Sequence, residues 1–118
     1  MKKINIIKSN DEYNRIIKNC RSYKYNDYII YIEKIATNTY QFGFSVGKKI
    51  GNAVTRNKIK RQLKSILDKI NFKNGFNCII IVKRGILDKS FTEKENDLNI
   101  LIEKLGIKKE SSNEEKNC

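Results

Sequence analysis

From Thr55 to Ile70 the apolar side chains fall where one side of a helix would bury them, and the remaining positions are polar or charged. Ile59, Leu63, Ile66, Leu67 and Ile70 recur at i, i+4, i+7, i+8 and i+11, so a 3.6-residue repeat gathers them into one arc. Arg56, Asn57, Lys60, Arg61 and Lys64 occupy the adjoining arc, with Lys58 beyond it. Such a segment reads as a helix that buries one side in a core and leaves a cationic ridge outside. Residues 48–73 carry nine Lys or Arg against one acid, Asp68, in a chain of net charge +12. A surface this lopsided suits a polyphosphate partner.

The rest of the chain supplies elements for that helix to pack on. Ser9-Asn-Asp-Glu12 has the form of a capping box, and Tyr13, Ile16, Ile17 and Cys20 follow as one apolar stripe. A first helix is therefore expected to end near Asn19–Arg21. Residues 25–35 and 39–46 are rich in aromatic and β-branched side chains and are joined by Ala36-Thr37-Asn38, which predicts an antiparallel hairpin. In its first arm Ile29, Tyr31 and Glu33 share one face, and Tyr28, Ile30 and Ile32 the other.

Gly47 and Gly51 bracket Lys48-Lys49-Ile50 in what reads as an adaptable basic loop. Asn74-Gly75 signals a turn, and Phe76–Val82 is apolar almost throughout, as an interior strand would be. Ser90–Glu93 or Thr92–Glu95 opens a last helix bearing Leu98, Leu101, Ile102 and Leu105, with Gly106 at its end. The expected fold is α+β, an α–β sandwich with about three helices on a small mixed four-stranded sheet, in the order α-β-β-(β)-α-β-α. One place for the remaining short strand is after Arg84. The 118 residues read as one domain, with a core over about 5–106 and a polar, frayed tail over 107–118.

Composition removes several functions. Histidine is absent, which excludes His-based acid–base catalysis, Ser–His and Cys–His nucleophile pairs and imidazole zinc sites. Gly47–Gly51 matches neither the Walker phosphate loop nor the dinucleotide fingerprint. The acids are scattered and offer no protein metal site, so no small-molecule substrate is indicated. No apolar run approaches the ~20 residues of a membrane span, and Met-Lys-Lys opens no signal peptide. A soluble, cytoplasmic protein is expected, with Cys20, Cys78 and Cys118 as free thiols. Tyr13, Tyr28, Tyr31, Tyr40, Phe42 and Phe44 are candidate rings for stacking on bases.

Phe44-Ser-Val-Gly-Lys-Lys-Ile-Gly-Asn-Ala-Val-Thr-Arg-Asn-Lys-Ile-Lys-Arg61 resembles the signature of the bacterial ribonuclease P protein subunit, whose hallmark is an Arg-Asn-Arg-type segment. The order of elements agrees over roughly residues 5–106. The resemblance implies a protein that binds a large catalytic RNA, in a holoenzyme that removes the 5′ leader from precursor tRNA. Hydrolysis would belong to the RNA and its bound Mg²⁺, with no catalytic residue in this chain. Arg56, Asn57, Lys58, Lys60, Arg61 and Lys64 map to the catalytic-RNA contact. Tyr13, Ile17 and Tyr31 would line a leader cleft between the first helix and the sheet, with Lys48 and Lys49 at its edge. The family fold implies a left-handed βαβ crossover, against the usual rule. Lys58 and Lys64 stand where the family favours arginine, and Ile17 replaces an aromatic. The residues alone also allow a ribosome-associated or DNA-binding module that uses 52–70 as its reading helix.

Overall fold

A computed structural model describes residues 1–109 of the chain. Helix α1 (Asn10–Asn19) starts as predicted, with Ser9 Oγ accepting the Glu12 amide at 3.4 Å. The box is only half made, because the Glu12 carboxylate turns to Arg15 at 2.8 Å. The run expected as one strand from Tyr25 breaks at Asn26-Asp27, giving antiparallel β1 (Ser22–Tyr25) and β2 (Tyr28–Lys34). Asn26 takes the left-handed backbone (φ 51), which asparagine tolerates better than most residues. That hairpin supplies the extra strand, and residues Arg84–Asp88 form a 3₁₀ turn instead.

After β3 (Tyr40–Ser45) come α2 (Ala53–Asp68), β4 (Phe76–Val82) and α3 (Phe91–Leu105). The sheet order is β1-β2-β4-β3, so the hairpin expected between 25–35 and 39–46 does not form. Strand β4 lies between its two arms, antiparallel to β2 and parallel to β3. The reason is burial. Phe76, Cys78, Ile80 and Val82 are buried toward one face of β4, and Ile79 toward the other with Ile81 half-buried beside it, so the centre of the sheet suits it. A parallel neighbour needs a crossover, and α2 supplies it between β3 and β4. Gly75, at φ 90, closes the junction: its amide donates to Thr39 O at 2.7 Å and its carbonyl accepts from Ile35 N at 2.9 Å.

Two cores result. Ile59, Leu63, Ile66 and Leu67 of α2 and Leu98, Leu101 and Ile102 of α3 pack with Tyr28, Ile30, Phe42, Phe44, Cys78 and Ile80 on one face of the sheet. On the other face α1 buries Ile16 against Ile7 and Ile79, with Tyr13, Ile17, Tyr31 and Ile81 around them. The molecule is thus helix, sheet and helix pair in three layers. Edge strand β3 is covered over part of its length by residues 4–7: Ile7 N donates to Phe42 O at 2.8 Å and Asn5 Nδ2 to Tyr40 O at 2.7 Å.

Helix α3 opens with a complete capping box, Ser90 with Glu93, and closes on Gly106 in the left-handed conformation. Lys89 lies 3.7 Å from Asp27 and 3.6 Å from Asp97, tying the β1–β2 turn to α3. Residues 107–109, expected as the start of a frayed tail, belong to the fold. Ile107 is buried, Phe72 and Lys108 form a bridge, and Lys109 N donates to Asn71 O at 2.8 Å. The remainder of the expected tail, with Cys118, lies outside the described residues.

Candidate nucleic-acid interface

Asn52 caps α2, its Oδ1 accepting the Thr55 amide at 2.9 Å, which fixes the phase of everything that follows. With Ile59, Leu63, Ile66 and Leu67 held in the core, Arg56, Lys60 and Lys64 come up along one flank at four-residue intervals. Asn57 and Arg61 stand exposed beside them, and Lys58 is exposed toward the α3 side. Arg56 is half-buried, and its Nε is shielded from solvent without an acceptor among the described residues. The Lys64 ammonium lies 5.9 Å from the centre of the Phe44 ring, so the flank overhangs edge strand β3. All six residues assigned to RNA from sequence therefore sit on one helix, five of them cations, with Asn57, Lys58 and Arg61 exposed and Arg56, Lys60 and Lys64 half-buried.

On the opposite face, strand register aligns Tyr31, Ile79 and Gly43 in one row and Ile29, Ile81 and Ser45 in the next. The structure brings Tyr13, Ile17 and Tyr31 together around this apolar floor. The Tyr13 ring rests directly on Gly43: a β-carbon there would come within 2.7 Å of Tyr13 Cζ and Oη. Its hydroxyl donates to Phe44 O at 3.4 Å, and burial raises its pKa, so it stays a protonated donor. Tyr13 is thereby pinned to β3 by its own polar tip.

Lys48 and Lys49 do not lie on an adaptable loop. Residues Lys48–Ile50 form a 3₁₀ turn, with Ile50 N donating to Gly47 O at 3.0 Å and the Ile50 side chain buried. That anchor sets both lysines, with Arg84, around a cavity of about 580 Å³ floored by Ile50, Ile81 and Val82. Ile81, which lines this cavity, also packs in the α1-face cluster, so the cavity adjoins the groove between α1 and the sheet. Of the six candidate rings, only Tyr13 and Tyr31 reach the groove. Tyr28, Phe42 and Phe44 are buried on the other face, and Tyr40 stacks on Phe76 at 5.6 Å.

Sequence reading missed Gly43, Ile79, Ile81 and Arg84. The alternation within β4 already separates Ile79 and Ile81 from Cys78 and Ile80, and a lone glycine inside a strand marks a close approach.

The far end of the α1 layer is held by charge. Arg15 pairs with both Glu33 and Glu12, and Asn77 Nδ2 donates to Glu33 Oε1 at 2.9 Å. The Arg15 guanidinium, helped by Asn77, holds the Glu33 carboxyl below its usual range. A lowered folded-state pKa means that this stabilisation is present above the ordinary carboxylate value and is lost as pH falls through the folded one. Glu33→Gln is therefore expected to unfold at lower urea concentration than the parent at neutral pH. The gap should close as pH falls through the folded-state carboxyl value, below which Glu33 is protonated folded and unfolded alike; a gap of constant size would refute the pairing. Among the described residues no three His, Cys, Asp or Glu side chains gather as a metal-binding group. Several of these acids are held in ion pairs instead, Glu33 with Arg15, Glu95 with Lys69 and Asp97 with Lys89. No described helix is long and apolar enough to cross a membrane.

The same sequence pattern and fold occur in known proteins. Residues 1–106 match the family model described as Ribonuclease P. The ribonuclease P protein component of Mesoplasma florum is 37% identical over 105 residues, covering 86% of this chain and 96% of that protein. That of Mycoplasma mobile is 36% identical over 111 residues, covering 93% and 97%. The solved structure of the Staphylococcus aureus RNase P protein superposes with a TM-score of 0.80 at 27% identity, covering 87% of this chain and 96% of that one. With the motif, the three-layer fold and these relatives in agreement, the chain belongs to the ribonuclease P protein family, the protein components of the ribonuclease that processes tRNA 5′ ends.

Proposed function

We propose that the α2 ridge seats the catalytic RNA of ribonuclease P, and that the groove under α1 holds the single-stranded 5′ leader of precursor tRNA. The observation that carries this reading is the meeting of the two surfaces at Phe44. Its ring lies under the Lys64 ammonium on one side of the sheet, and its carbonyl accepts the Tyr13 hydroxyl on the other. One strand thus couples a phosphate-binding ridge to an apolar groove suited to unstacked bases. In this reading Lys48, Lys49 and Arg84, around the cavity that shares Ile81 with the groove, neutralise the leader backbone. Mg²⁺ would be held outside this chain, by the RNA, and would supply the activation of water and the charge stabilisation that phosphodiester hydrolysis needs. The chain's own residues bind and orient, and the setting is the cytoplasm.

Mixing the protein with its cognate catalytic RNA should stimulate precursor cleavage at low Mg²⁺, and no stimulation would sink the proposal. Within that assay Tyr31→Ala should weaken affinity for precursor tRNA relative to mature tRNA, because only the precursor carries a leader. Equal loss for both tRNAs would count against a leader-reading groove. Footprinting on duplex DNA in parallel separates this reading from a DNA-binding one.

A further inference from the structure

Lys94 is the most buried lysine of the described chain, 8% exposed, and it forms no ion pair there. Its ammonium donates to Gln62 Oε1 at 2.7 Å, a neutral acceptor. The carboxylates of its own helix are turned elsewhere: Glu93 caps Ser90, Glu95 meets Lys69 at 3.0 Å, and Asp97 meets Lys89 at 3.6 Å. The one charged group that acts on it from α2 is another cation, Lys58, a turn before Gln62 on the same face. Lys94 also sits in the first turn of α3, near the positive end of the helix dipole. Burial, like charge and dipole all oppose an ammonium at this place, and burial and Lys58 lower its pKa. Its backbone is fixed as well, since the buried Tyr28 hydroxyl donates to Lys94 O at 3.1 Å. A lysine is seldom buried without a partner. One anion would relieve all three effects at once.

We propose that the seam between α2 and α3 is a phosphate site, filled in the holoenzyme by a phosphodiester of the bound RNA contacted by Lys94 and Lys58, with Gln62 orienting the Lys94 ammonium. The site lies across the top of α2 from the Arg56–Lys60–Lys64 flank, so RNA would wrap the helix rather than touch one side of it. The inference rests on the reading that α2 faces RNA; it shares Lys58 with that reading and adds Lys94 and Gln62.

Lys94→Met keeps the side chain's length and removes its charge. In buffer free of phosphate and sulfate, the variant should melt no lower than the parent, because a disfavoured charge has gone. Added inorganic phosphate should raise the parent's melting temperature more than the variant's. With the cognate catalytic RNA, the slope of log K against log salt should fall by ~0.7–0.9, the loss of one phosphate contact. Lys94→Gln, a neutral side chain that can keep a hydrogen bond to Gln62, should lower the slope likewise and covers the case in which Lys94→Met does not fold. An unchanged slope in both variants overturns the site, whatever their melting temperatures. An unchanged slope in a folded Lys94→Met variant also overturns it. A phosphate response equal to the parent's would mean that the ammonium serves only to pack against Gln62. Arg61→Ala in the same titration separates the two readings: if it too leaves RNA binding unaltered, the RNA face of α2 is wrong; if it alone weakens binding, only the seam is.

Discussion

Gly43→Ala is expected to cost the groove its ring. The added methyl would lie 2.7 Å from Tyr13 Cζ and Oη and 2.9 Å from Cε1, so the tyrosine must leave β3 and its bond to Phe44 O. Overpacking of this kind costs ~1–3 kcal/mol of stability. The larger effect should be on recognition. Stacking of one base on an aromatic side chain contributes ~1–3 kcal/mol, so the preference for precursor over mature tRNA should drop by roughly tenfold or more. Tyr13→Ala should produce a similar drop, and combining the two should add little, because both remove one ring from one place. Measured precursor and mature tRNA affinities for the four proteins check this. An unaltered preference in Gly43→Ala, with a reduced one in Tyr13→Ala, would show that the ring works without its seat.

Replacing Arg56, Lys60 and Lys64 together by alanine should nearly abolish assembly with the catalytic RNA at physiological salt. The three lie along one flank of α2, with Asn57 and Arg61 exposed beside it. If each neutralises one phosphate, the salt slope of log K should fall by about 2–3 in total, at ~0.7–0.9 per contact. Affinity for precursor tRNA by the free protein should change far less, since the leader groove lies on the opposite face of the sheet. Salt titrations of RNA binding by parent and variant decide it: a parent-like slope would remove the flank from the interface. Lys60→Arg and Lys64→Arg should bind at least as well as the parent, because a guanidinium adds a bidentate fork that an ammonium lacks.

The residues that could be assigned from sequence share a property: their signal is local. The phase of α2 is written in Ile59, Leu63, Ile66 and Leu67, so the ridge followed as soon as the helix did. Caps at Ser9 and Ser90 and the terminating Gly106 were legible for the same reason. What failed was pairing between strands. Residues 28–34 and 40–45 are close in the chain, and nothing within either run says that a third strand will come between them. The deciding fact is the two-sided burial of residues 76–82, which becomes informative only once β4 is placed beside both. The break at Asn26-Asp27 was hidden by the tyrosines around it, which suit a strand as well as a hairpin. In the groove, Tyr13 and Tyr31 were found as exposed-capable rings, whereas Gly43 matters for the side chain it lacks. The Lys48–Ile50 turn was misjudged because Ile50 is a core residue lodged among lysines and glycines.

The central place of β4 sets an order of events during synthesis. Strands β2 and β3 are made well before β4, and each finds its sheet partner in it. Only the β1–β2 hairpin can close from what has already emerged; β3 and the apolar side of α2 must wait for residues 76–82 to leave the ribosome. Until then the chain exposes an unpaired strand and a half-solvated cationic helix, and closing the sheet is a long-range, slow kind of step. The nascent protein thus presents its most basic segment to the surrounding RNA before it has a core. A stalled-chain series ending before and after Val82 should show protection of β2 and β3 only once residues 76–82 have left the ribosome.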